Sequence, residues 1–151
     1  MVLEKLFETL EVEKKNLQKL KSVAERKQVI LVSSDREKLE ECTLEEERYI
    51  LNVRKDEALR IKIIHEFYLQ LGLKRNSPKL SLLANCLKGK VEETVITLLS
   101  SYEKDIKSLV LEISMLNHRN LFLIQHSRNF ITETINILLK NKKKALLDRR
   151  V

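Results

Sequence analysis

The residue types that carry most enzymatic and metal chemistry occur in this chain, but not in the spacing such chemistry needs. None of its histidines, His65, His118 and His126, has a second His at i, i+4 to share a metal-ligand face. Cys42 and Cys86 stand alone, without CxxC spacing, and suit packing better than a zinc site or a disulfide framework. Carboxylates crowd at Glu45, Glu46, Glu47, Asp56 and Glu57, interleaved with Arg48, Arg54 and Lys55. That density reads as a solvated helix face, because no apolar pocket surrounds it to raise a pKa toward general acid–base work. With 2 glycines in 151 residues there is no phosphate-cradling loop, and no serine sits in a nucleophile elbow. The sequence therefore predicts no enzyme, no cofactor and no metal site.

Two polar features remain. The formal net charge is +7, and basic residues concentrate at Lys140, Lys142, Lys143, Lys144, Arg149 and Arg150, opposed there only by Asp148. Phosphate contacts to nucleic acid use such charge. Lysines at a helix C-terminus also suit the macrodipole, and no glycine-rich loop or interleaved aromatics accompany them. Charge alone is the weakest item in a nucleic-acid argument. The second feature is Asn117 with Asn120, and Asn120 falls on an apolar seam. A seam amide costs stability but can fix register or oligomer state.

The element that positions both features is one long helix. Alternating steps of four and three from Val95 reach Leu99, Tyr102, Ile106, Leu109, Ile113, Leu116, Asn120, Leu123, Ser127, Phe130, Thr134 and Ile137. This stripe is apolar except at Asn120, Ser127 and Thr134, and no Gly or Pro interrupts it. A continuous helix over it would be about 65 Å long, too long for so short a chain to wrap. The chain is therefore expected to be elongated, to self-associate as a homodimer, or to await another chain.

The rest of the chain follows the same logic. With 34% charged residues, 1 Pro and no Trp, the composition is that of long amphipathic helices in one all-α domain spanning 1–151. A first helix is expected over about 2–32, with Glu13 and Lys27 as polar exceptions on its seam. Ser34 and Glu37 match a capping box that starts a second helix, about 35–71, with Glu46 on its seam. Gly72 marks a left-handed C-cap. Residues 72–90 form a connection in which Leu80, Leu82, Leu83 and Leu87 indicate a short helix or turn. The third long helix is expected over about 91–139, with a basic tail at 140–151. Short turns make the first two helices an antiparallel hairpin along which the third returns. The N-terminus lacks a signal-peptide apolar segment, and no apolar run approaches the roughly 20 residues of a membrane span. The expected location is cytoplasmic.

The run Asn117-His-Arg-Asn120-Leu-Phe-Leu-Ile124-Gln-His-Ser127, followed by Phe130-Ile131, resembles the C-terminal signature of the FlgN family of flagellar export chaperones. That signature is N-x-x-N-x-x-L-[LI]-x-x-S followed by an apolar pair. Leu17 to Asp35 resembles the family's first helix and polar break, and Leu39 to Arg60 its charged second helix. Leu71-Gly72-Leu73 with Ser77 to Leu83 resembles its connection. The basic balance departs from the acidic character common among secretion chaperones. The resemblance implies a cytoplasmic chaperone for hook-associated proteins of the hook–filament junction, the FlgK and FlgL type. It would keep their C-terminal helical segments unassembled and deliver them to the export gate. The stripe supports a helix-in-groove surface at Asn117, Asn120, Leu121, Leu123, Ile124, Ser127, Phe130, Ile131, Thr134, Ile137 and Leu138. A structural coiled-coil or adaptor protein, and a basic nucleic-acid-binding bundle, are the competing classes.

Overall fold

Helix formation follows the breaks that the sequence supplies. The computed structural model describes residues 1–74 and 76–150, without the side chain of Arg150. Over these residues the chain forms α1 (Val2–Ser33), α2 (Arg36–Gln70), α3 (Leu80–Leu87) and α4 (Glu93–Arg150), and no strand. The fold is all-α, as composition and periodicity predict. Arg75 in the connection and Val151 in the basic tail lie outside the described residues.

The first break is built differently from the expected capping box. Ser34 closes α1 in the left-handed conformation, with φ 58°, and so lacks the extended backbone of an N-cap. Asp35 takes that role instead: its carboxylate accepts the Lys38 N–H at 3.1 Å. At the other end of α2, the Gly72 N–H donates to Leu69 O at 3.0 Å and the Leu73 N–H to Tyr68 O at 2.9 Å. This is a Schellman stop, and Gly72 takes its φ of 65° without the penalty a Cβ would bring.

Both long partners pack on α1. On one side α2 runs antiparallel, pairing Glu13 with Arg60, Asn16 with Asp56 and Lys27 with Glu46. On the other side α4 runs parallel to α1. Glu11 pairs there with Tyr102, Lys14 with Asp105, Lys21 with Glu112, and Ala24 with Asn120. The polar exceptions on the α1 seam are therefore cross-helix ion pairs.

The core tapers along the molecule. At its base Leu6, Leu10, Ile63, Ile64, Tyr68, Leu80, Leu83, Ala84, Leu87 and Leu99 are buried together, drawing on all four helices. Higher up, the second buried cluster is Leu17, Leu20 and Ile113, flanked by Tyr49, Ile50 and Val53. Each buried Leu or Ile contributes about 1.5–3 kcal/mol, so the base supplies most of the stability. Above the second cluster lie Val23, Ala24, Cys42 and Asn120, and then the hairpin ends. Bonded partners on α1 and α4 differ by 91 to 96 residues, which sets Ser34 level with α4 residues 125–130. The last twenty or so residues of α4, about 30 Å of helix, project past the hairpin.

Candidate functional site

The exposed face of α4 begins where α1 stops. Asn120 is only 3% exposed. Its Nδ2 donates to Ala24 O at 3.0 Å, while its Oδ1 is buried without a hydrogen-bond partner among the described residues. Leu123 and Ile124 are half-buried near the hairpin tip. Ser127, Phe130, Ile131, Thr134, Ile137 and Leu138 are all exposed, Phe130 at 66% and Leu138 at 62%. Asn117 and Leu121 are exposed on a flank, bordering an open groove with Val110 and Ile113. The predicted residues thus divide: Asn120 is enclosed against α1, Asn117 and Leu121 lie on an exposed flank of the covered stretch, and the others lie near or beyond the point where cover ends.

The counted stripe and the uncovered face are not the same row. A 3.5-residue repeat drifts about 20° per heptad on a 3.6-residue helix, so the count from Val95 to Ile137 wanders by about 120°. In line with Ile113 and Asn120 stand Ile124, Ser127, Ile131 and Leu138, with Ile135 to one side; Phe130, Thr134 and Ile137 form the adjoining row on the other. Ile135 and Leu139, exposed at 50% and 59%, belong to the apolar face but escape the strict alternation. The signal that finds Ile135 is its spacing of four from Ile131 and three to Leu138. Thr134 Oγ1 donates to Phe130 O at 2.8 Å, so covering Thr134 would not orphan its hydroxyl donor.

The polar groups below this face hold helices in register. Burial pushes the Glu13 carboxyl above its ordinary range despite the Arg60 guanidinium beside it. The Tyr102 hydroxyl donates to Glu11 Oε2 at 2.7 Å, and that bond holds its pKa up at about 12. The hydrogen bond from Lys21 holds Glu112 below the usual carboxylate range. Among the described residues, no group of three or more His, Cys, Asp or Glu could hold a metal ion. No helix of the described residues is long and apolar enough to cross a membrane.

The structure is an all-α hairpin with an apolar helix projecting past its tip. The family model for FlgN protein matches residues 1–147, from the start of α1 through the projecting part of α4. The chain belongs to the FlgN family. No curated protein and no solved structure matches it. FlgN proteins are chaperones of flagellar export, not an enzyme family, and their partners are hook-associated proteins. In this FlgN chain the matched span includes the uncovered face almost to its end, so the projection belongs to the family's own length.

Proposed function

We propose that this FlgN protein is a cytoplasmic export chaperone whose projecting α4 takes the C-terminal helical segment of a hook–filament junction protein, of the FlgK or FlgL type. The single observation that carries the reading is the uncovered apolar face beyond Asn120, with Phe130, Ile131, Ile135, Ile137 and Leu138 each at least half exposed. Such a face in water is a partner site or an aggregation hazard. A junction-protein helix that will pack against its neighbours only after export carries the complementary hazard. Docking the two buries both apolar faces, keeps the client from assembling early and leaves a complex that can be handed to the export gate. The client helix continues the path of α1, lying against the row that α1 covers lower down.

Calorimetric titration of the FlgN chain with a hook–filament junction protein tests this. Phe130→Ala is expected to weaken binding by about 2 kcal/mol, the loss typical of a buried aromatic anchor. A stable self-dimer without affinity for the client would support the structural coiled-coil reading instead.

A further inference from the structure

The bundle has four helices only at its base. There α3 presents Leu80, Leu83, Ala84 and Leu87, spaced i, i+3, i+4 and i+7, and all four are buried against α1, α2 and α4. Leu80 and Ser81 stand beside Ile106 and Lys107, while Leu87 leads through a short turn to Glu93 at the start of α4. So α3 runs antiparallel to α4 and, at about 12 Å, ends well short of the hairpin tip.

Above α3 the fourth position is open. The α2 and α4 helices each pack on α1 and make no comparable packing with one another. Where α3 stops, a hollow of about 300 Å³ lies between Arg60 of α2, Pro78 and Leu80, and Ile106 and Lys107 of α4. The groove at Val110, Ile113, Asn117 and Leu121 follows on the same side of α4, because steps of four, three, four and four from Ile106 keep one row on a 3.6-residue helix. Ile113 is its buried floor, packed with Leu17 and Leu20 of α1 beside Val53 of α2. Val110 and Leu121 are each 51% exposed. From Ile106 to Leu121 the row is about 22 Å long, some four turns, and Ile124 carries it on to the projecting face.

An occupant has to be a helix that ends inside the groove, because α3 closes the lower end. A second copy of this chain does not meet that condition: its uncovered apolar stretch, Ile124 to Leu139, lies mid-helix, with α4 continuing in both directions. A client held on the projecting face does meet it, since its neighbouring segments reach the groove mouth at high effective concentration. Resting on the docking reading above, we infer that the groove between α2 and α4 takes a second helix of the same hook–filament junction client, an amphipathic segment with apolar anchors at i, i+3, i+4 and i+7. The α3 helix shows the chemistry that this position accepts, and the client completes the four-helix bundle above it. The chaperone then holds two client helices, one on the projecting part of α4 and one beside the hairpin.

Backbone amides from Val110 to Leu121 are already held by packing on α1, so the test reads side chains. Benzoylphenylalanine replaces Ser114, exposed on the groove, or Thr134, exposed on the projection, in the full FlgN chain. Each form is irradiated with a purified hook–filament junction protein and the crosslinked peptides are mapped. Both positions are expected to capture the client, at two different client segments. The Val110→Glu/Leu121→Glu variant should keep its thermal melt, because both side chains are half exposed, and should bind the client about tenfold more weakly. Capture at position 134 alone, or of one client segment from both positions, would overturn the second helix while leaving docking on α4 intact. Capture of a second FlgN copy at position 114 would give the groove to self-association and overturn the proposal. A lowered melt would place Val110 and Leu121 in the core, and unchanged client affinity would leave the groove empty; either result overturns it. No capture at either position would remove the docking reading and this proposal together.

Discussion

Glu13 sits where a leucine would complete the α1 seam, and Arg60 reaches it with two guanidinium nitrogens, at 2.8 and 3.3 Å. Truncating that partner in Arg60→Ala strands a buried carboxylate and should cost about 3–5 kcal/mol in chemical denaturation. Because burial raises the Glu13 pKa in the fold, its contribution to stability is full below the ordinary carboxylate value. It is lost as pH climbs through the raised value. Over that window the native chain should lose stability relative to Glu13→Gln, which has no such titration. The charges at Glu13, Lys27 and Glu46 are legible in the sequence as seam exceptions. Their pairing is not, because it depends on a register that no single helix encodes. Ser34 was misread for a related reason: Ser34 and Asp35 both suit a cap, and only the left-handed φ of Ser34 decides which serves. Ser34→Gly should stabilise the hairpin by up to about 1 kcal/mol in thermal melts, by removing a Cβ from that conformation. Asn120→Leu removes both the amide bond to Ala24 and a buried Oδ1 without a partner. These offset, so stability should stay equal or rise; a clear loss would place Oδ1 in a bond that forms in solution.

Along α4 one helix plays two parts, and burial divides them near Asn120. Leu99→Ala, at a site with no exposure, should cost about 2–5 kcal/mol of folding stability. Phe130→Ala, at 66% exposure, should change it by less than about 0.5 kcal/mol while weakening the client complex. Measuring melts and affinity on both variants separates core from docking face; a large stability loss for Phe130→Ala would make it core. The existence of the helix was plain from its unbroken apolar spacing. Its end was not: Lys140 to Lys144 read as a tail, yet they occupy helical turns that run on to Arg150. Lysine has good helix propensity, and nothing in that stretch caps or breaks the helix. Which apolar row stays uncovered was also hidden, since heptad counting ignores its drift on a straight helix.

The whole molecule is an α1–α2 hairpin with a longer helix along one side, and its length is that of α4, about 85 Å at helical rise. Small-angle scattering should give a radius of gyration well above the roughly 15 Å of a sphere-like domain of this size. The tapering core implies graded protection, with slow exchange at the base around Tyr68 and Leu83 and fast exchange beyond the tip. Hydrogen–deuterium exchange across α4 of the full chain, alone and with a hook–filament junction protein, tests the central claim most directly. Alone, amides from Ser127 to Leu139 should exchange rapidly while those around Leu99 stay protected. With client present, the Ser127–Leu139 amides should become protected and the rest should hold steady. Protection of Ser127–Leu139 without client, or client-induced protection confined to another part of the chain, would contradict the account.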